Sequence, residues 1–195
     1  MVKRTSLSAS LLSVVMMAAS ALADRHEKNE HAAGETPKEA VAVIQPTPEY
    51  KAQGVVVFRE HDTFVHISGQ IDGLKPGKHG FHIHQYGDLR AEDGTSAGGH
   101  YNPTKLKHGS PKDHKHHAGD LGNILADESG KATIDIKSED FKVHFIIGRS
   151  VVVHAGEDDL KSQPSGDAGP RAGIGVIGFA NVEKKQPETT AADKE

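Results

Sequence analysis

Cysteine and tryptophan are both absent from this chain of 195 residues, and three tyrosines and six phenylalanines are its only aromatics. Without cysteine there is no disulfide, although the compartment of an exported protein would permit one. Any core must be built mainly from aliphatic side chains. Clustered positive charge is lacking too, and with a net charge of −4 the composition points away from nucleic acid as a partner. Long hydrophobic runs are missing: Leu11 to Met17 is the most apolar stretch, well short of the roughly 20 residues that a membrane span needs. It lies between Lys3-Arg4 and Ala21-Leu22-Ala23, the pattern of a removable export signal over residues 1–23 with cleavage before Asp24. A membrane anchor is the alternative reading. Losing Lys3 and Arg4 moves the net charge from −4 to −6.

Residues 24–38 are polar and charged, carry His26 and His31, and read as a disordered lead-in; 184–195 reads as a disordered tail. The two lead-in histidines are solvated or collect metal. Between the ends, over residues 39–183, the hydrophobic period is two. Along Thr63–Ile71, Val65, Ile67 and Ile71 share one face, with Phe64, His66, Ser68 and Gln70 on the other. Similar runs recur at Val41–Ile44, Val55–Phe58, Gly80–Gln85, Gly122–Ala126, Ala132–Ile136, Ser150–Ala155 and Ile174–Val182, punctuated by turns such as Asp72-Gly73 and Ser129-Gly130. Eight short strands without an amphipathic helix predict an all-β fold, an antiparallel barrel or sandwich. Two stretches break the rhythm, Gly87–Asp120 and Gly156–Ala172. Long loops in a compact domain usually carry function.

Histidine, in contrast, is abundant at fourteen residues, and its placement matters more than its number. His82 and His84 project from one face of a strand, about 7 Å apart. His154 ends another strand, in which Val151 and Val153 are expected inside while Val152 and His154 point outward. His100, His108, His117 and Asp120 share the first long loop. Imidazole suits copper and zinc, and three histidines with an aspartate suit a closed tetrahedral zinc site. His114 and His116 crowd His117, and His116 is the second candidate for its place. His61, His66 and His144 lack motif partners and are expected to be exposed; His79 is expected to pack or hydrogen-bond.

Gly80-Phe81-His82-Ile83-His84-Gln85-Tyr86-Gly87-Asp88 resembles a signature of copper–zinc superoxide dismutases. The resemblance continues through Ser96-Ala97-Gly98-Gly99-His100-Tyr101-Asn102-Pro103, His117-Ala118-Gly119-Asp120-Leu121-Gly122-Asn123 and Val152-Val153-His154. It closes at Ala168-Gly169-Pro170-Arg171 and Gly175-Val176-Ile177-Gly178, covering about 41–182. It implies an eight-stranded antiparallel Greek-key barrel, related to the immunoglobulin-like sandwich, with two long functional loops. It also implies one copper per subunit on His82, His84, His100 and His154, and one zinc on His100, His108, His117 and Asp120. His100 would bridge the metals, Asp158 would join His82 to His108 from outside the metal sites, and Arg171 would dock the superoxide anion. The implied reaction converts superoxide to oxygen and hydrogen peroxide.

The sequence departs from the family at its disulfide. In register, the two cysteine positions are Gly94 and Ile174. Asp167, Pro170 and Gly173 also replace commoner residues. Between His154 and Arg171 there is one lysine, Lys161, so the family's steering lysines do not all transfer. The alternative function is a non-catalytic copper or zinc binding or storage protein on the same fold. The protein is expected to be periplasmic or extracellular, free of the membrane once its signal is removed, and a homodimer if Ile146-Ile147-Gly148 and Gly178-Phe179 form an interface rather than core.

Overall fold

The computed structural model describes residues 36–182. The export signal, most of the lead-in with His26 and His31, and the tail expected over 184–195 lie outside the described residues. The period-two segments become eight strands: β1 (Glu39–Pro46), β2 (Gln53–Glu60), β3 (Val65–Asp72), β4 (Gly77–His84), β5 (Asp120–Ala126), β6 (Ala132–Ser138), β7 (Ser150–His154) and β8 (Arg171–Phe179). Alternation sorts their faces. Ala40, Ala42 and Ile44 of β1, Val56 and Phe58 of β2, and Val65, Ile67 and Ile71 of β3 are fully buried. They meet Phe81, Ile83, Val151, Val153 and Ile177 from the far side of the same core. Each valine, isoleucine and phenylalanine among them contributes about 1.5–3 kcal/mol when taken from water.

All strands pair antiparallel in the order β1-β2-β3-β6-β5-β4-β7-β8, and β8 returns to β1 through pairs such as Ile177 with Ala42. The sheet is therefore a closed barrel, which leaves no edge strand among the described residues. The crossovers put β4 between β5 and β7, so His82 lies opposite Asp120 on one side and Val152 on the other. Register shifts fall between Gly80 and His82 and between Val153 and His154. Bulges re-aim side chains, and both occur beside a histidine of the implied metal set.

Several boundaries differ from expectation. The last strand runs from Arg171 to Phe179 rather than from Ile174 to Val182, because Arg171 already pairs with His154. Segment Val143–Ile146 forms one turn of helix, α1, in which Ile146 is fully buried while Phe145 is 54% exposed. His66, expected on the surface, is half-buried and lies 2.7 Å from Asp135, whereas His61 and His144 are exposed.

Val152 does point away from the barrel interior, yet it is fully buried. The first long loop folds back over it, and Val152, Ala97 and Ile174 form a small apolar cluster of their own. Gly94 and Ile174, the two disulfide positions, face each other here. A Cβ on Gly94 would lie 3.5 Å from Ile174 Cδ1 and 2.9 Å from Arg171 Cδ, and the φ of 75° at Gly94 suits glycine. A hydrophobic contact thus replaces the covalent one. Burying an isoleucine contributes about 1.5–3 kcal/mol, against roughly 2–5 kcal/mol lost with a disulfide. Ile174→Ala should cost about 2–4 kcal/mol in urea denaturation and speed proteolysis between 87 and 98. Unchanged stability would contradict this account of the loop anchor.

Candidate metal centre

The strand period places His82 and His84 on the face of β4 opposite Phe81 and Ile83, and the bulge in β7 turns His154 toward them. Main-chain bonds sew the first loop onto β4: Gln85 donates to Gly99 at 2.9 Å, Tyr101 to Ile83 at 2.7 Å, and Ile83 to Gly119 at 2.9 Å. His100, between Gly99 and Tyr101, is thereby fixed over the pair, its ring centroid 4.0 Å from that of His82. Two groups result. His82, His84, His100 and His154 form one, and His100, His108, His117 and Asp120 form the other; within each, one ligand atom per residue lies within 4.8 Å of all the rest. His117 supplies the third imidazole of the second group. His116 instead sets Nδ1 2.7 Å from the Asp113 carbonyl and Nε2 3.3 Å from Asp140.

Hydrogen bonds on the far side of each ring decide which nitrogen is free. His84 Nδ1 donates to the Gly98 carbonyl at 2.9 Å and His154 Nδ1 to the Gly169 carbonyl at 3.0 Å. A carbonyl only accepts, so in the neutral rings Nε2 keeps a lone pair. His82 Nε2 donates to Asp158 Oδ2 at 2.8 Å and His108 Nε2 to Asp158 Oδ1 at 3.0 Å, which leaves Nδ1 free on His82 and, in the neutral ring, on His108. The atoms so exposed, His82 Nδ1 with Nε2 of His84, His100 and His154, are buried and have no hydrogen-bond partner. In the second group, Nδ1 of His100, His108 and His117 lie 2.7, 3.1 and 3.2 Å from Asp120 Oδ1. The other carboxylate oxygen accepts from the Gly109 and His117 amides, so Oδ1 is kept for this cluster.

Burial pushes His82 down to about 4, against the pull of Asp158, and His154 down to about 3, with His82 adding to the effect. His84 is driven well below its ordinary value by burial, then by His154 and His100. His108 goes the other way. Burial opposes its charge, but Asp120 and Asp158 outweigh that and push it up to about 9. Burial raises Asp120 and Asp158, yet their histidine partners win and hold both carboxyls below the usual range. One group thus gathers neutral nitrogen donors, and the other gathers nitrogens around a carboxylate.

A cavity of about 600 Å³ opens onto His84, His100, His117 and His154. Arg171 lines it, with Nη2 donating 2.9 Å to the Gly98 carbonyl that also receives His84. Burial lowers the Arg171 pKa, in part offset by Asp93, but a guanidinium remains charged. Its Nε is buried without a partner.

The profile of the copper/zinc superoxide dismutase family matches residues 52–177. The chain belongs to this family. It is 42% identical over 171 residues to the extracellular copper–zinc superoxide dismutase of Onchocerca volvulus, covering 80% of this chain and 83% of that one. It is also 46% identical over 145 residues to the copper chaperone for superoxide dismutase of Rattus norvegicus, covering 71% of this chain but spanning about half of the chaperone, 52%. The crystal structure of the clock protein EA4 superposes with a TM-score of 0.69 at 40% identity, covering 75% of this chain and 97% of EA4.

Copper and zinc are the metals of this superoxide dismutase family, and the donors fit them. Ligands of a tetrahedral zinc lie about 3.3 Å apart when its bonds are about 2.0–2.1 Å. This is close to the 3.1 and 3.2 Å that separate Asp120 Oδ1 from His108 and His117, with His100 nearer at 2.7 Å. Nitrogen donors alone suit copper.

Sequence reasoning missed the parts that hold the ligands. Asn123 of β5 clamps the main chain of Asp158, accepting from its amide and donating to its carbonyl, both at 2.8 Å. Gly98 ties Arg171 to His84. Gly166, at φ 70°, lies against the Asp158–His108 contact: a Cβ there would strike Asp158 Oδ1 and sit 2.7 Å from His108 Nε2. Only the glycines and the Gly-Asn pair at 122–123 hinted at this in the sequence. Gly166→Ala should therefore lower metal affinity about ten- to hundredfold, read by chelator competition. A second prediction concerns pH. Below about 9 the metal-free His108 carries a proton that a cation must displace. Zinc affinity should rise about tenfold per unit from pH 7 to 9 and flatten above; a flat profile there would contradict the assigned charge.

Proposed function

We propose that this chain is a superoxide dismutase that converts superoxide to oxygen and hydrogen peroxide. The observation that carries the reading is a group of four partnerless imidazole nitrogens, on His82, His84, His100 and His154, of which the last three line one cavity together with Arg171. In this reading His82, His84, His100 and His154 hold copper, and His100, His108, His117 and Asp120 hold zinc. Copper supplies one-electron exchange when bound; two superoxide ions and two protons give one oxygen and one hydrogen peroxide.

The protein's own residues do the rest. His100 faces both groups, with Nδ1 toward Asp120 and Nε2 toward the other histidines, so it serves both metals. Nε2 is also the atom at which a proton can be held for the peroxide. Asp158, hydrogen-bonded to His82 and His108, keeps both groups in register. Arg171 binds the anion beside His84 and His154. Lys107 adds a second positive charge, and no carboxylate is among the residues that line the cavity. This local field can concentrate an anion although the whole chain is negative.

Extracellular relatives in Onchocerca volvulus and Caenorhabditis elegans support export of this chain, with residues 1–23 as its signal and 39–183 as the enzyme domain. A homodimer is supported by the exposure of Phe145 and Phe179, at 54% and 73%; Ile146 belongs to the core. Light scattering should show two chains that Phe179→Glu separates. The likeness to the rat copper chaperone favours a second reading, copper binding or delivery without turnover.

Superoxide decay measured on protein loaded with copper and zinc separates the two. The wild type should far outpace the same amount of free copper. Arg171→Gln should lose roughly tenfold with its copper retained, and Lys107→Gln should flatten the fall of rate with added salt. Full copper with decay no faster than free copper would overturn the enzymatic reading.

A further inference from the structure

Asp158 fixes the ring of His108 from behind, but a ring is only as well placed as the backbone that carries it. That backbone lies in the first long loop, outside any strand. It is held by the side chain of Gln163, from the second long loop. Gln163 Oε1 accepts from the His108 amide at 2.9 Å, and Nε2 donates to the His108 carbonyl at 2.9 Å. The same Nε2 donates its other hydrogen to the Lys161 carbonyl at 3.0 Å, which orients the amide plane. Both donor hydrogens are thus in use.

The arrangement repeats the one at Asp158, whose amide and carbonyl are gripped by Asn123. The two members of the His108–Asp158 contact are therefore each held at the main chain by one side-chain amide. Gln163, Pro164 and Ser165 of the second loop and Leu106 and Lys107 of the first all line the cavity, so the same clamp ties together two loop segments that border it.

We propose that Gln163 is a positioning residue for the zinc-side ligand His108, setting how tightly zinc is held without touching either metal group. The inference rests on the assignment of His108 to zinc. It concerns chiefly one group. His84 and His154 are placed by β4, β7 and the carbonyls of Gly98 and Gly169, and His82 by β4 and Asp158. The hydrogen bonds of Gln163 go instead to the main chain of His108 and Lys161.

Gln163→Met keeps the length of the side chain and removes the three hydrogen bonds. Full-length mature protein, loaded with copper and zinc, is passed to a chromogenic chelator. The variant should release zinc about tenfold faster than wild type with its copper content unchanged, and cobalt placed in the zinc site should show a shifted visible spectrum. Zinc release within about twofold of wild type, or copper lost in the same proportion as zinc, would overturn the proposal. Should the variant fail to fold, hydrogen exchange in the wild type decides. The His108 amide should be protected at least about tenfold, and exchange at the unstructured rate would contradict the clamp. A wild type that takes up copper but no zinc would remove the assignment beneath the inference, and the inference with it.

Discussion

Imidazole nitrogens can be buried without a hydrogen-bond partner only where something other than water satisfies them, and this constraint organises the structure. Of seven such atoms among the described residues, six, on His82, His84, His100, His108, His117 and His154, belong to the two groups; the seventh, His116 Nε2, has Asp140 3.3 Å away. An unsatisfied buried polar atom costs about 1–3 kcal/mol, so six together rival the roughly 5–15 kcal/mol by which a domain is folded. A proton can relieve some of this at His108, between two carboxylates. It cannot do so at His84 and His154, where burial opposes the charge. Cations relieve all six at once. On this reading the metal centre stabilises the fold as well as carrying its chemistry, since an ion that binds only the folded state stabilises it by mass action.

The barrel and the loops divide the labour. Closed pairing gives β4 and β7 a rigid face on which His82, His84 and His154 stand, while the loops bring in His100, His108, His117 and the carboxylates. Loops lack a ladder of their own, so each is pinned from outside. The first is held by main-chain bonds to β4 and by the Ala97–Val152–Ile174 cluster. The second is pinned by Asn123, which grips Asp158, and by Gln163, which grips the first loop in turn. The lost covalent link between Gly94 and Ile174 is thus one restraint among several, and Ile174 fills its place with packing.

Much of this was legible in the sequence because it is local. Alternation at Thr63–Ile71 named the buried face, and the His-x-His pair in a strand had to share a side. What stayed hidden depends on residues far apart. Val152 lies on the face that alternation assigns to solvent, and it is buried because a loop some fifty residues earlier covers it. The start of β8 at Arg171 follows from pairing with His154, not from any run of β-forming residues. Asn123, Gln163 and Gly166 touch no metal position. Their roles arise from tertiary contacts that carry no periodic signal.

The central claim is that the inward nitrogens form two cation sites that share His100 but are otherwise separate. Metal content per chain, measured on wild type and His154→Ala after loading with copper and zinc and removal of loosely held ions, tests it most directly. The account predicts one copper and one zinc in the wild type, with copper lost and zinc kept in the variant. A variant that keeps its full copper, or one that loses both metals alike, would contradict it.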